Sequence, residues 1–298
     1  MSPRPLVSVG MPTFNRAGQL RWAMESVLRQ TLVDVELVVS DNCSTDDTAT
    51  VCAELAARDP RVRCVRQPRN LGAVANFNTV LSACGGEYAM LLADDDWLDA
   101  EYLERCVAAL REDASLVLCC GVARYHDGEA AAGEGVALEL SHGDPGRRVA
   151  RFYRCVADNA AFYGLMPRRI SKSLSPMKNR FGADWLRVAE VAALGKVVTV
   201  ANTAIHRSTH GASRDAQSIA ASAGLGRFES RLPYASLAAS AVAELLWRSA
   251  VHRRLLPSGR ARGALAALRS CLRLSLVLHG GQLLRALKGS RLQAVRGG

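Results

Sequence analysis

Residues Tyr88-Ala89-Met90-Leu91-Leu92-Ala93-Asp94-Asp95-Asp96 make an apolar run that ends in three carboxylates. A continuous apolar run of this length reads as a buried strand. Three adjacent carboxylates at its end repel one another, so leaving all of them ionised and unpaired costs free energy. A hard divalent cation removes that cost, because Mg²⁺ and Mn²⁺ take oxygen ligands and often bridge one or two carboxylates to substrate phosphates. The same residues would also suit a solvated turn that caps a helix. The sequence on either side bears on the choice.

Toward the N-terminus, residues 6–11 read as a first strand stopped by Pro12. Leu20, Ala23, Met24, Val27 and Leu28 then share one face of a helix over 19–29. Residues 35–40 form a second strand that ends at Asp41-Asn42. Ser44-Thr45-Asp46-Asp47 supplies cap chemistry for a helix to about Arg58. Residues 62–66 read as a third strand and 73–84 as a third helix, which Gly85-Gly86 breaks. Downstream come a helix over 101–111, a strand over 116–122 and a Gly-, Ala- and Glu-rich surface loop over 126–148. Residues 162–166 read as a strand, 185–194 as a helix and 197–201 as the last strand. Strands alternating with helices imply a mostly parallel sheet, in which ligands sit at the carboxyl ends of the strands. Asp41 and the aspartate triplet both fall there.

The chain has 298 residues, 49% of them hydrophobic, enough for a full core. It has no run of 18 apolar residues, so a membrane span is not expected. The N-terminus enters the first strand without the apolar segment of a signal peptide. Nine cysteines are scattered without a C-x-x-C pair, which points to reduced thiols and a cytoplasmic location. Residues 1–224 carry a net charge of −1 and residues 225–298 a net charge of +11. A nucleic-acid binder is not expected from such a split; an enzyme body with a basic appendage is.

Several blocks keep a common order and spacing: residues 7–16 (Val7-Ser8-Val9-Gly10-Met11-Pro12-Thr13-Phe14-Asn15-Arg16), residues 26–31, residues 41–46, Asn70-Leu71-Gly72, and Gly86-Glu87-Tyr88 leading into the triplet. Together they resemble the start of a family 2 glycosyltransferase over residues 6–99, with a weaker match to about residue 214. The resemblance implies a GT-A fold, a Rossmann-like, mostly parallel α/β sheet flanked by helices. It also implies transfer of a sugar from a nucleotide donor with inversion. The expected organisation is a catalytic domain over 1–225, with a donor half (1–122) and an acceptor half (123–225), and a basic helical extension over 226–298.

Residue by residue, the resemblance sets Pro12, Thr13, Asn15 and Arg16 beside the nucleotide. Asp41 would bond the base or ribose, while Asn70, Gly72 and Asn76 would close the pocket. The triplet matches the family's Asp-x-Asp element with one departure, since the first Asp of the common form falls on Ala93. Asp94-Asp95 is the best-matched pair, and Asp94 with Asp96 also meets the spacing. Asp95 is favoured as direct ligand of Mn²⁺ or Mg²⁺, with Asp94 and Asp96 bonding ribose, metal-bound water or the loop. Such a metal would offset the charge of the leaving diphosphate. Asp184, in Phe181-Gly182-Ala183-Asp184-Trp185-Leu186, resembles the family's general base, and a helix N-cap is its plainer reading. Asp158 is the fallback. Arg207 and His210 resemble a segment that closes over the diphosphate, with His210 on metal or phosphate. Trp22, Trp97 and Trp185 suit the core or a sugar face.

The donor is expected to be a nucleotide-sugar, with uracil favoured as the base. The acceptor is a glycan, a lipid-linked glycan or a small molecule. In the tail, Arg262, Arg269 and Arg273 form one helical stripe beside Leu265, Leu268, Leu272 and Leu276. Such a helix packs on the body, pairs with a second copy, or lies at the inner face of an anionic membrane. Two other readings compete. A sugar nucleotidyltransferase needs a Gly-rich basic loop after the first strand, which residues 10–15 do not supply. A non-catalytic nucleotide-sugar scaffold would have no use for a base at Asp184.

Overall fold

A computed structural model describes residues 4–128, 130–156, 159–209, 219–220 and 223–295, with side chains described as far as residue 277. Strands β1 (Val7–Thr13), β2 (Val35–Asp41), β3 (Val62–Arg66) and β4 (Tyr88–Leu91) alternate with helices α1 (Ala17–Leu28), α2 (Thr48–Arg58) and α3 (Ala73–Ala83). Next come β5 (Trp97–Leu98), α4 (Tyr102–Glu112), β6 (Leu116–Asp127), β7 (Ala130–Glu134) and α5 (Pro145–Cys155). They are followed by β8 (Met166–Pro167), α6 (Arg168–Ser173), α7 (Ala183–Leu194) and β9 (Lys196–Ser208). Helices α8 (Arg227–Arg231), α9 (Pro233–Ala243) and α10 (Pro257–Val295) complete the described chain.

One sheet has the order β3-β2-β1-β4-β8, parallel except for β4 with β8. The order reverses between β1 and β4, which is where a doubly wound sheet opens a ligand crevice. The second sheet, β5-β9-β6-β7, pairs β6 with β9 in parallel. Its β5 follows directly on the aspartate triplet, so the second sheet starts at the crevice.

Four elements differ from the sequence reading. The first strand does not stop at Pro12 but runs to Thr13, with Pro12 opposite Ser40 of β2. Gly10 accepts from Leu92 on the β4 side and Thr13 from Asn42 on the β2 side, so alternation turns the Pro12 nitrogen toward β4. The β4 ladder ends at Gly10–Leu91, and no partner misses the absent N–H. Residues 126–148 are not one loop. β6 continues to Asp127 and turns into β7, and α5 starts behind Asp144, whose carboxylate accepts from the Arg147 amide at 2.6 Å.

Of residues 162–166, only Met166 lies in a strand, as the first residue of β8. Ala160–Tyr163 is a turn of 3₁₀ helix, and Gly164 then passes so close to Leu118 and the Cys119 carbonyl that a Cβ would lie 2.9 Å from Leu118. The last strand is also longer than 197–201. Its register against β6 shifts after Gly121–Val200, so residues 201–203 bulge and the strand resumes at Ala204.

Two cores flank the sheets. One packs α1, α2 and α4 on β1, β2 and β4 through Met11, Leu20, Met24, Leu37 and Leu103. The other gathers Phe152, Tyr153 and Val188 with Leu237, Ala241, Leu245, Leu255, Ala267 and Cys271. The tail as far as Cys271 is therefore built into the core of the body. Of the packings open to the basic helices, contact with the body is the one seen. Helices α5 and α10 touch at their first turns, where a Cβ on Gly146 would lie 2.5 Å from the Gly259 Cα.

Candidate active site

The loops after β1 and β2 are tied to each other by side chains that carry little other load. Asn15 has a left-handed backbone (φ 53°), which Asn tolerates better than most residues. Its amide donates to Ser44 Oγ at 2.9 Å, and its Oδ1 accepts from the Thr45 amide at 2.8 Å. Asp46 accepts from the Thr48 amide at 3.0 Å and the Ala17 amide at 3.2 Å, so one carboxylate serves the starts of both α1 and α2.

Asp41 is 2% exposed at the tip of β2. Its Oδ1 accepts from the Ser44 amide at 2.9 Å; its Oδ2 has Arg66 at 3.7 Å and no hydrogen bond. Asn70 accepts from Asn42 at 2.9 Å and from the Gly72 amide at 2.8 Å, which shapes the turn where Gly72 takes φ 83°. Asn76, expected beside the nucleotide, is instead buried beneath that loop. Its Oδ1 accepts from Ser40 Oγ at 2.6 Å, and its Nδ2 donates to the Ser40 carbonyl at 2.8 Å and the Thr13 carbonyl at 3.4 Å. It braces β1 against β2.

The triplet stands between two guanidinium groups, one from the loop after β1 and one from β9. Arg16 Nη1 donates to Asp95 Oδ2 at 3.0 Å, and Arg207 Nε on β9 donates to Asp96 Oδ2 at 3.2 Å. Arg207 also lies over the rings of Tyr163 and Tyr125, at 5.1 and 5.9 Å. Burial pushes the Asp94 carboxyl up to about 6, opposed by the Thr13 hydroxyl, with the charge of Asp95 adding to the rise. Burial likewise pushes Asp96 up to about 7, opposed by Arg207. Two carboxyls that resist ionisation beside a third suit a cation with oxygen preference. Among the described residues, however, no three His, Cys, Asp or Glu side chains cluster as a ready-made metal site. Asp95 and Asp96 fit a cation that is completed by oxygens of a bound ligand. His210 and Asp158 lie outside the described residues.

Asp184 is the second residue of α7, behind Gly182, which takes φ 71°. It is not the helix cap of its plainer reading. Burial raises its pKa above the usual carboxylate range, while an Asn159 hydrogen bond at 3.0 Å and the helix amides oppose the rise. Asn159 is itself buried, and its Oδ1 has no partner. The half-buried Tyr163 ring links the two groups: Arg207, which bonds Asp96, stands over it at 5.1 Å, and it closes the 3₁₀ turn that begins beside Asn159, the partner of Asp184.

Sequence reading missed Asn159, which precedes an irregular segment without a motif. It also missed a chain of rings beside the triplet. Asp99 Oδ1 pairs with His206 Nε2 at 2.8 Å, and His206 Nδ1 lies 2.8 Å from His126 Nε2. Trp97 stacks on His206 at 5.2 Å between centroids. This chain fixes β9 where it presents Arg207. Of the tryptophans, Trp22 is not core: it is 55% exposed, under Arg29 and edge-on to Trp97 at 6.3 Å between centroids.

Residues 8–173 match Glycosyl transferase family 2. Among curated proteins, the chain is 38% identical over 112 residues to chondroitin synthase of Escherichia coli, which is 38% of this chain and 16% of that enzyme. It is 35% identical over 112 residues to hyaluronan synthase of Pasteurella multocida, 38% of this chain and 11% of that enzyme. The match thus spans under a fifth of the length of either synthase. Among solved structures, S. aureus TarS in complex with UDP-GlcNAc superposes with a TM-score of 0.65 at 17% identity, over 91% of this chain and 74% of that one. Mannosyltransferase PcManGT from Pyrobaculum calidifontis, in complex with GDP-Man and Mn²⁺, superposes at 0.58 and 16% identity, over 99% of this chain and 81% of that one. These likenesses carry the fold, which is GT-A. With more than half of its length inside the family match, the chain belongs to the family 2 glycosyltransferases.

Proposed function

We propose that this protein is a metal-dependent inverting glycosyltransferase that moves a sugar from a nucleotide-diphosphate donor, UDP-sugar favoured, to an acceptor hydroxyl. The observation that carries the reading is the link from Asp96 through Arg207 and the Tyr163 ring to the turn whose Asn159 holds Asp184. The donor base and ribose would lie against Asp41, whose Oδ2 keeps an acceptor position, with Thr13, Asn15, Arg16, Asn70 and Gly72 around them. Asp95 and Asp96 would hold Mn²⁺ or Mg²⁺, which when bound stabilises charge on the leaving diphosphate. The complexes of TarS with UDP-GlcNAc and of PcManGT with GDP-Man and Mn²⁺ support such a donor and ion by analogy.

In the transfer, the acceptor oxygen forms a bond to the anomeric carbon as the bond to the diphosphate oxygen breaks. Asp184 takes the hydroxyl proton. Asn159 holds one oxygen of that carboxylate in place, and Arg207 and Arg16, paired with Asp96 and Asp95, offset negative charge at the triplet. A base must be ionised, and burial raises the pKa of Asp184. Transfer therefore switches on as pH rises through that raised value.

The test is a melting screen with UDP-, dTDP- and GDP-sugars, with and without Mn²⁺, repeated on Asp184→Asn. A donor at a hundred times its Kd should add about 2.7 kcal/mol to stability. The wild type and the variant should show the same metal-dependent shift, and only the wild type should turn over. An absent shift with every donor sinks the donor reading, and an active Asp184→Asn protein sinks the base.

One further observation favours a membrane partner. Leu265, Leu268, Leu272, Leu276 and Val277 on α10 are 46–68% exposed, while Ala264, Ala267 and Cys271 face the body. Arg269 and Arg273 flank the leucines. The combination suits the interface of an anionic bilayer, and a second copy of the chain is the competing occupant. No helix among the described residues is long and apolar enough to cross a membrane.

A further inference from the structure

We propose that a cleft between α7 and the start of the tail is a phosphate-binding subsite. The cleft has a volume of about 180 Å³ and is bounded by residues 175–180, the first two turns of α7, and residues 244–250. Room for a single water takes only about 10–15 Å³, so the space accepts a polyatomic group. Four cations line it, Lys178, Arg180, Arg187 and Arg248, against two carboxylates, Glu190 and Glu244.

The pairing among these groups is incomplete. Glu244 lies 3.3 Å from Arg180 and 3.9 Å from Lys178, so one carboxylate serves two cations. Glu190 accepts from Ser249 Oγ at 2.6 Å and stands 3.6 Å from Arg187. Arg248 is exposed and has no ion pair among the described residues. Arg187 is the decisive residue. Its side chain is 7% exposed and its Nη2 donates to the Ser175 carbonyl, but Nε and Nη1 have no hydrogen-bond partner. Taking a guanidinium out of water without pairing its donors is costly, and an anion beside it recovers that cost.

Two features make this a built site instead of a packing flaw. Residues Glu244–Arg248 form a π-helix, a rare turn found frequently at functional sites, and both its ends line the cleft. The other wall is the N-terminal part of α7, whose amides favour negative charge. Arginine forks with a lysine suit phosphate oxygens, which accept several charge-assisted bonds at once.

Arg187 follows Asp184 by three residues, a rise of about 4.5 Å along the helix. A phosphate held in the cleft would therefore belong to the acceptor, remote from its reacting hydroxyl. That role rests on Asp184 as the base, whereas phosphate binding itself does not. A phosphoryl-bearing soluble acceptor and a lipid headgroup present the same chemistry.

The experiment uses the full chain in metal-free buffer, so that the aspartate triplet draws no phosphate through a cation. Calorimetric titration with inorganic phosphate and glycerol 2-phosphate, with glycerol as the uncharged control, reads soluble ligands. Co-sedimentation with phosphatidylcholine vesicles, with and without phosphatidic acid, reads the lipid source. Lys178→Ala/Arg248→Ala removes two exposed cations that take no part in donor binding or proton transfer. It should weaken phosphate binding about tenfold or more and leave the melting temperature and the donor-induced shift unchanged. Arg187→Met, if it folds, should abolish binding.

Saturable binding of glycerol 2-phosphate that the double variant loses supports a soluble source. Retention on phosphatidic acid vesicles that the double variant loses supports a headgroup. No saturable binding to either, or binding the double variant keeps in full, overturns the proposal and leaves glycosyl transfer untouched.

Discussion

At the scale of single residues, the site holds charges under tension. Asp184 is drawn above its ordinary pKa by burial, and the unpartnered Oδ1 of Asn159 sits beside it. Between the ordinary and the raised pKa, the folded chain keeps a proton that the unfolded chain has lost. Stability from this group therefore falls as pH rises through that window, the opposite of a salt-bridged carboxylate. Asp184→Asn removes the ionisation and supplies an amide donor that Asn159 Oδ1 lacks. The variant should be more stable than wild type at pH 8 by on the order of 1 kcal/mol and lose that advantage near pH 4. Urea midpoints at the two pH values check this; a variant no more stable at pH 8 contradicts the tension.

At the scale of elements, the proposed base depends on one turn. Gly182 has φ 71°, and a Cβ there would lie 2.6 Å from Leu237 Cδ1 on α9. Gly182→Ala meets both backbone strain and an overpacked core and should cost roughly 2 kcal/mol. Turnover should fall with it, because α7 carries Asp184. Leu237→Ala in the same chain should cost less than the two changes apart, the mark of sites in contact. Additive losses in a denaturation series would break the link. The first four strands and three helices were legible because their periodicity and caps are local, and Asp41 and the triplet could be placed at strand ends on that basis alone. The elements that complete the site were not. The 3₁₀ turn at Ala160–Tyr163 follows from the close passage of Gly164 over β6, and the resumption of β9 after Asn202-Thr203 follows from its pairing with β6. His206 and Arg207 reach the crevice through that pairing, so local periodicity could not show them there; Arg207 was expected there only from the family resemblance.

At the scale of the whole molecule, the tail is part of the folded body. Leu237, Ala241, Leu245, Leu255, Ala267 and Cys271 close the core over Phe152, Tyr153 and Val188. A chain ending at residue 225 should lose cooperative melting and bind ANS, while one ending at residue 277 should melt cooperatively. A sharp transition in the shorter chain would show that the body folds alone. The backbone contact of Gly146 with Gly259 adds a constraint of another kind, on the order in which this protein can change. A methyl at 259 meets the Gly146 Cα at 3.3 Å, a fit that small shifts relieve; a methyl at 146 meets the Gly259 Cα at 2.5 Å, which only a displaced helix relieves. Mutational drift at this crossing can therefore begin at one of the two glycines and not at the other. Position 146 becomes free only after α10 has moved, so the history of the tail governs what the body may become.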